Sequence, residues 1–295
     1  MGIGKSRKQQ KKPENRKCKR LTICIPNEKI KLENKKQEEK RMAYLEMNAL
    51  SVILCGSFRA SIFLPEMDAL QLDDEKHERR YPVLWLLHTE GGSSLDWNRT
   101  MAEKCAVEFG IVIVAPDAQH SLYTNMEYGP KYEEFLTKEL PGIIRNNLPV
   151  TEDSKWNWIG GVGTGAYGAV KAVLKHSDVF SKCIAIDGIF DLGKICNRAL
   201  MGKKTGIFHG EESLKAVFGD LKNFEGSEHD IYALSENCTK GKYYITGTGD
   251  SQYVQERKRL SKILKEKAVY VETKGEIMDF SEPMVLKNAI GWLMS

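Results

Sequence analysis

Five glycines fall within eleven residues, in the run Ile159-Gly160-Gly161-Val162-Gly163-Thr164-Gly165-Ala166-Tyr167-Gly168-Ala169. Before it lies Trp156 to Gly161, which reads as a buried strand. After it lies Ala166 to Lys175, whose apolar spacing reads as a helix. Two functions use a strand that passes into a helix through a glycine-rich turn. In one, amides at the helix N-terminus cradle a phosphate. The frame Gly161-x-Gly163-x-x-Ala166 meets the dinucleotide pattern only loosely. The strand also comes mid-chain, and no acidic ribose partner is evident about 20 residues on. In the other, a G-x-S-x-G elbow lifts a nucleophile above the sheet, and small residues two before and two after the centre let the backbone fold tightly. Those positions are Gly161 and Gly165, and the centre is Gly163.

The rest of the chain supplies the sheet that such a turn requires. From about residue 43 apolar and polar residues alternate. Leu50 to Leu54 and Phe58 to Leu64 read as an antiparallel edge pair around Cys55-Gly56-Ser57. Tyr81 to Leu87 and Ile111 to Ala115 are continuous apolar runs, the pattern of strands buried on both faces. Trp97 to Glu108 and Tyr132 to Asn147 have helical spacing. Cys183 to Asp187, Lys242 to Thr246 and Ala268 to Thr273 read as strands, and Val254 to Lys267 and Pro283 to Met294 as helices. Strands alternating with helices specify an α/β fold with a mostly parallel central sheet flanked by helices. Residues 191–237 break the rhythm and are expected to form a short cap over the sheet's carboxyl edge. No internal repeat is present.

Several further segments carry a pattern. Leu86-Leu87-His88-Thr89-Glu90-Gly91-Gly92 precedes the turn. Asn125 to Tyr132 and Glu139-Leu140-Pro141 lie between. Phe218-Gly219-Asp220, Asp230-Ile231-Tyr232-Ala233-Leu234 and Ile245-Thr246-Gly247-Thr248-Gly249-Asp250 follow. In this order, over about residues 43–295, they resemble the α/β-hydrolase esterases of the tributyrin esterase and S-formylglutathione hydrolase (esterase D) group, and most the tributyrin esterase branch. The resemblance implies an α/β-hydrolase fold with a cap, hydrolysis of small acyl esters by a Ser-His-Asp triad, and no cofactor. It also implies an oxyanion hole of backbone amides at Thr89, Glu90 and Thr164.

The chain departs from this group where chemistry should be. The family's serine aligns with Gly163, which has no side chain to attack a carbonyl. Moving the frame to Thr164 would put Val162 at a tight-turn position, which suits a β-branched residue poorly. The family's histidine is expected in the loop Lys274 to Phe280, near Ile277, yet no histidine follows His229. Gly91 is retained in the oxyanion segment, while the glycine of the His-Gly pair is Thr89. Of the triad, Asp250 alone remains. Losing the nucleophile or its base costs on the order of 10⁶ in turnover, and what can survive is roughly 10³–10⁴ over water. Glycine at a strained elbow also relieves about 1–3 kcal/mol. The expectation is a catalytically degenerate esterase kept for ligand binding or a protein contact. The alternative is an active hydrolase or acyltransferase with a rearranged site, in which His120 or His209 meets a hydroxyl such as Thr164, or water attacks directly. His88 is expected to be structural, and Trp156, Trp158 and Trp292 to lie in the core.

Charge divides the chain. Residues 1–41 carry 15 Lys/Arg against 5 Asp/Glu, a net +10, and the remainder carries 29 against 35, a net −6. The tail is too poor in apolar residues to offset its ordering entropy and is expected to be disordered. It reads as a solvated tail, as an arm for nucleic acid or an anionic surface, or, from Met1-Gly2 with Ser6, as a loose myristoylation signal. Met42-Ala43-Tyr44-Leu45-Glu46 also looks like a start, so residues 1–41 are open to being no part of the native protein. Seven scattered cysteines, with no CxxC cluster, are expected to be reduced and buried, and no metal site is expected. No segment reaches 18 consecutive apolar residues, so a soluble, cytoplasmic protein is expected. Its anticipated partner is a small acyl ester or related molecule, and a homo-oligomer is compatible with the sequence.

Overall fold

Val83–Leu87 (β3) and Val112–Pro116 (β4) are buried at every position, as continuous apolar runs require. In the computed structural model, which describes residues 41–66, 80–208, 210–274 and 283–295, they lie inside an eight-stranded sheet. In chain order the elements are β1 (Met42–Ser51), β2 (Gly56–Pro65), β3, α1 (Ala102–Phe109), β4, α2 (Tyr132–Glu134) and α3 (Leu140–Asn147). Then come β5 (Asn157–Val162), α4 (Thr164–Lys175), β6 (Lys182–Ile186), α5 (Leu192–Leu200), α6 (Glu211–Phe218) and α7 (Ile231–Glu236). β7 (Lys242–Thr248), α8 (Val254–Leu264), β8 (Ala268–Thr273) and α9 (Pro283–Met294) complete the order. The strand order is β1-β2-β4-β3-β5-β6-β7-β8. β1 pairs β2 and β2 pairs β4 antiparallel, and every other pair is parallel.

The two-residue period of a strand splits the core in two. Val83, Trp85 and Leu87 join Ile159, Tyr167 and Val170 on one face of the sheet. Leu84 and Leu86 join Trp158, Ala102 and Ile290 on the other. Trp158 is fully buried, and Trp156 and Trp292 pack at the edge of the second layer. Trp85 satisfies its indole N–H on Asn157 Oδ1 at 2.6 Å, so the polar group of a central strand is not left bare.

Two elements differ from expectation. Leu50 to Leu54 does not form a strand of its own. β1 begins eight residues earlier and ends at Ser51, and Val52 to Cys55 is a turn. The Glu139 carboxylate captures that turn, accepting the amides of Val52 at 2.7 Å and Ile53 at 3.2 Å, so the apolar side chain of Val52 is left 85% exposed. Trp97 to Glu108 is likewise not one helix. A 3-10 turn, Ser94–Arg99, carries a capping box between Ser93 and Asp96, and Thr100 is extended before α1 begins. Tyr132 to Asn147 is helical throughout, with a π-helical turn at Phe135–Glu139. Residues 191–237 hold α5, α6, α7 and a 3-10 turn, Leu221–Asn223. Cys105, Cys183 and Cys196 are buried free thiols, whereas Cys55 is exposed in the β1–β2 turn. Among the described residues no helix is long and apolar enough to cross a membrane, and no group of three His, Cys, Asp or Glu could hold a metal ion.

Candidate functional site

The glycine-rich turn joins β5 to α4 at the carboxyl edge of the sheet. Gly163 stands between them at φ 58°, ψ −117°, a conformation that costs any residue with a Cβ. Its amide donates to Ile186 O and its carbonyl accepts from Ile189 N, each at 3.1 Å, so the end of β6 and the loop after it clamp it on both sides. The flanking glycines are needed for space. A Cβ on Gly161 would run into the carbonyl of Gly165 and come within 2.9 Å of Ala166 N. A Cβ on Gly165 would run into the carbonyl of Leu87. The first turn of α4 therefore lies directly on the ends of β3 and β5.

Gly163 faces a side chain instead. A Cβ built on it would overlap Thr89 Oγ1 and stand 3.1 Å from Thr89 Cβ. Thr89 thus fills the space in front of the turn. Its hydroxyl accepts the Thr164 amide at 3.4 Å, and the Thr164 hydroxyl accepts the Glu90 amide at 2.6 Å. Thr89, Glu90, Gly163 and Thr164, singled out from sequence, are therefore brought together. Of the three amides expected to hold a developing oxyanion, those of Glu90 and Thr164 each already meet a hydroxyl of the chain.

The other sequence candidates scatter. Asp250 follows β7 and is exposed, with no hydrogen bond or ion pair among the described residues. Ile277 and His209 lie outside the described residues. His88 has both ring nitrogens engaged: Nε2 accepts the Ala118 amide at 3.0 Å, so Nδ1 carries the proton and donates to Thr89 O at 2.8 Å. That shapes the Thr89 segment and leaves the ring no free nitrogen. Tyr123 reinforces it by donating to His88 O at 2.8 Å.

A pair that sequence reasoning did not find stands beside the turn. Glu90 Oε1 lies 2.6 Å from His120 Nδ1, and the Glu90 side chain is 5% exposed against 59% for His120. These two line one end of a cavity of about 170 Å³, whose remaining wall includes Leu122, Met126, Phe208 and Leu214. His120 was a candidate and Glu90 was read only for its amide. Nothing in their spacing of thirty residues signalled that the two side chains meet.

Behind the turn, α4 is held by buried charge. Lys171 Nζ lies 3.1 Å from Glu133 Oε2 and donates to the Thr124 hydroxyl. Burial pushes the Lys171 ammonium down to about 8, against the pull of Glu133. Burial alone would raise the Glu133 carboxyl. The hydrogen bond from His176 and the charges of Lys171 and Lys175 overcome it and hold Glu133 well below the usual carboxylate range.

Comparison with known proteins agrees with this architecture. The model of a family described as "Putative esterase" matches residues 53–262. The acetyl esterase of Caldicellulosiruptor saccharolyticus is 26% identical over 264 residues, covering 85% of this chain and 98% of that protein. The S-formylglutathione hydrolase FrmB of Staphylococcus aureus superposes with a TM-score of 0.71 at 25% identity, over 86% of this chain and all of that one. FphF, a fluorophosphonate-binding serine hydrolase of the same organism, superposes with a TM-score of 0.73 at 24% identity, over 86% and 99%.

Proposed function

The chain belongs to this esterase family, has the α/β-hydrolase fold, and resembles carboxylic ester hydrolases; from that premise we propose that it has lost serine-esterase chemistry and works by binding a small molecule at the old site. One observation carries the reading. The residue at the centre of the turn is Gly163, and the volume a nucleophile would need is taken by the side chain of Thr89. Two further features support it. Thr89 and Thr164 cap the amides of Thr164 and Glu90, so a substrate oxyanion would have to displace two hydroxyls of the chain itself. Asp250, the retained acid, has no hydrogen-bond partner among the described residues, and no histidine follows His229 in the sequence.

A short-chain aryl ester assay on the full chain tests this. No turnover above background is expected, and turnover that Asp250→Ala abolishes would overturn the proposal. Restoration is the stricter test. Gly163→Ser with Ile277→His should stay inactive, because the new serine meets Thr89. Adding Thr89→Gly should let ester hydrolysis appear.

The Glu90–His120 pair favours a second reading, a rearranged hydrolase in which the imidazole acts as base with Glu90 orienting it. It makes the opposite prediction: ester turnover lost in His120→Ala and unchanged in Asp250→Ala. The Thr164 hydroxyl, its candidate nucleophile, is already accepting the Glu90 amide at 2.6 Å.

A further inference from the structure

We infer that the cavity beside the turn binds a small organic cation, an ammonium on an aryl or short alkyl body, with Glu90 as its anionic partner. The inference rests on the reading of this chain as a binding protein.

The Glu90 carboxylate is the anomaly. Its side chain is 95% removed from solvent, yet among the described residues it makes one hydrogen bond, from His120 Nδ1 to Oε1. Oε2 has no partner among the described residues. A carboxylate accepts at both oxygens, with about four lone-pair sites. Oε2 is not among the sealed polar atoms that lack a partner, so it keeps contact with solvent and is open to a ligand. Such a group fits a site that a ligand completes. Glu90 lines the cavity, so the unmet acceptor has somewhere to find that ligand.

The surroundings select the ligand's charge. Among the described residues, no lysine or arginine lines the cavity. α6, which supplies Leu214 to the wall, begins with Glu211 and Glu212, and its cation Lys215 is held by both at 2.8 and 3.2 Å. Residues 42–295 as a whole carry a net −6. An anion would meet a carboxylate in an acidic setting, whereas an ammonium would make the charge-assisted bond that Oε2 lacks. The wall selects the body. Leu122, Met126, Phe208 and Leu214 offer an aliphatic, thioether and aromatic surface, and about 170 Å³ is below the ~300 Å³ of ordinary drug-sized pockets. A single ring or a short chain is the matching size.

Calorimetric titration of the full chain with benzylamine, benzyl alcohol and benzoate tests the inference. Benzylamine should bind saturably, benzyl alcohol at least tenfold more weakly, and benzoate not at all. Glu90→Gln should weaken benzylamine at least tenfold, and Leu214→Trp, which fills the cavity, should abolish binding. If Leu214→Trp does not melt cooperatively, Met126→Trp fills the same space from another lining position. No saturable binding of benzylamine, equal binding of the alcohol, or indifference to Glu90→Gln or to cavity filling would each overturn it. An aryl ester assay on the same sample keeps the two readings apart. Turnover would overturn the binding-protein reading whatever the amine does. Absent turnover with absent amine binding would overturn only the cation site.

Discussion

Thr89 and Gly163 exchange bulk across a gap of a few ångströms. The esterase pattern that the sequence resembles carries a glycine and a serine at these positions; this chain has a threonine facing a glycine, and the space in front of the turn is filled. The two positions should therefore be coupled. Gly163→Ser adds a Cβ at φ 58° and against Thr89 Oγ1, so it should destabilise by about 2–4 kcal/mol, from backbone strain and overpacking together. In a Thr89→Gly background the clash is removed and only the strain remains. A double-mutant cycle by urea unfolding should give a coupling of about 1–3 kcal/mol. Additive effects would mean that Thr89 does not occupy that space. Gly165 offers a contrast. Its missing Cβ faces the Leu87 backbone rather than a movable side chain, so Gly165→Ala should destabilise by about 3 kcal/mol or more whatever stands at position 89.

At the scale of elements, α4 must be held still for the turn to keep its shape, and buried charge does much of that work. Glu133 receives Lys171, Lys175 and His176 within 3.1 Å, tying α2 to α4. Removing Glu133 leaves Lys171 buried without a counter-charge, while Lys175 keeps Glu228 as a partner. Glu133→Gln should therefore destabilise by about 3–5 kcal/mol in chemical denaturation. The same partners hold the folded Glu133 carboxyl below its unfolded value near 4.5, so its contribution is full above that pH and is lost as pH falls below it. The acid limb of the stability curve should be shallower in Glu133→Gln below about pH 4.5. Pattern alone gives the helix from Tyr132 to Asn147, but this cluster draws its members from two helices and cannot be read from either.

For the whole molecule, a buried histidine extends the acid sensitivity upward in pH. His229 precedes α7, and its ring lies against Phe218 and Phe224 with Nδ1 buried and unbonded. Burial, with the charge of Lys171 adding to it, pushes its pKa down to about 4 from 6.5. Between those values the unfolded chain holds the extra proton and the folded one does not, so stability should fall as pH drops from about 6.5 to 4. His229→Phe should flatten that segment of a pH series of denaturation curves while leaving the fall near Glu133's range in place. An unchanged slope would mean that the ring is not excluded from water. The mostly parallel character of the sheet and its antiparallel edge pair were legible from the alternation of apolar runs and helical spacing, whereas the strand order comes from the structure. The two misread segments differ in cause: at Leu50 to Leu54 the distant Glu139 carboxylate claims the amides of Val52 and Ile53, and in Trp97 to Glu108 the backbone extends at Thr100, whose hydroxyl accepts the Ala102 amide.

The α/β sheet, the position of the turn, small residues at 161 and 165, and a side-chain-less residue at 163 are all legible in the chain of residues alone. Each of these follows from local period or from a side chain that is not there. The sequence also contained both halves of the bulk exchange, Thr89 and Gly163, as separate departures. Only the tertiary structure made them one event, because β3 and β5 are neighbours in the sheet though more than seventy residues apart in the chain. The Glu90–His120 pair and its cavity were likewise decided by folding, since the meeting of a carboxylate with an imidazole thirty residues away is a property of loops at one sheet edge. Local pattern sets which backbone a segment prefers, and three-dimensional packing sets which side chains inherit the space left over.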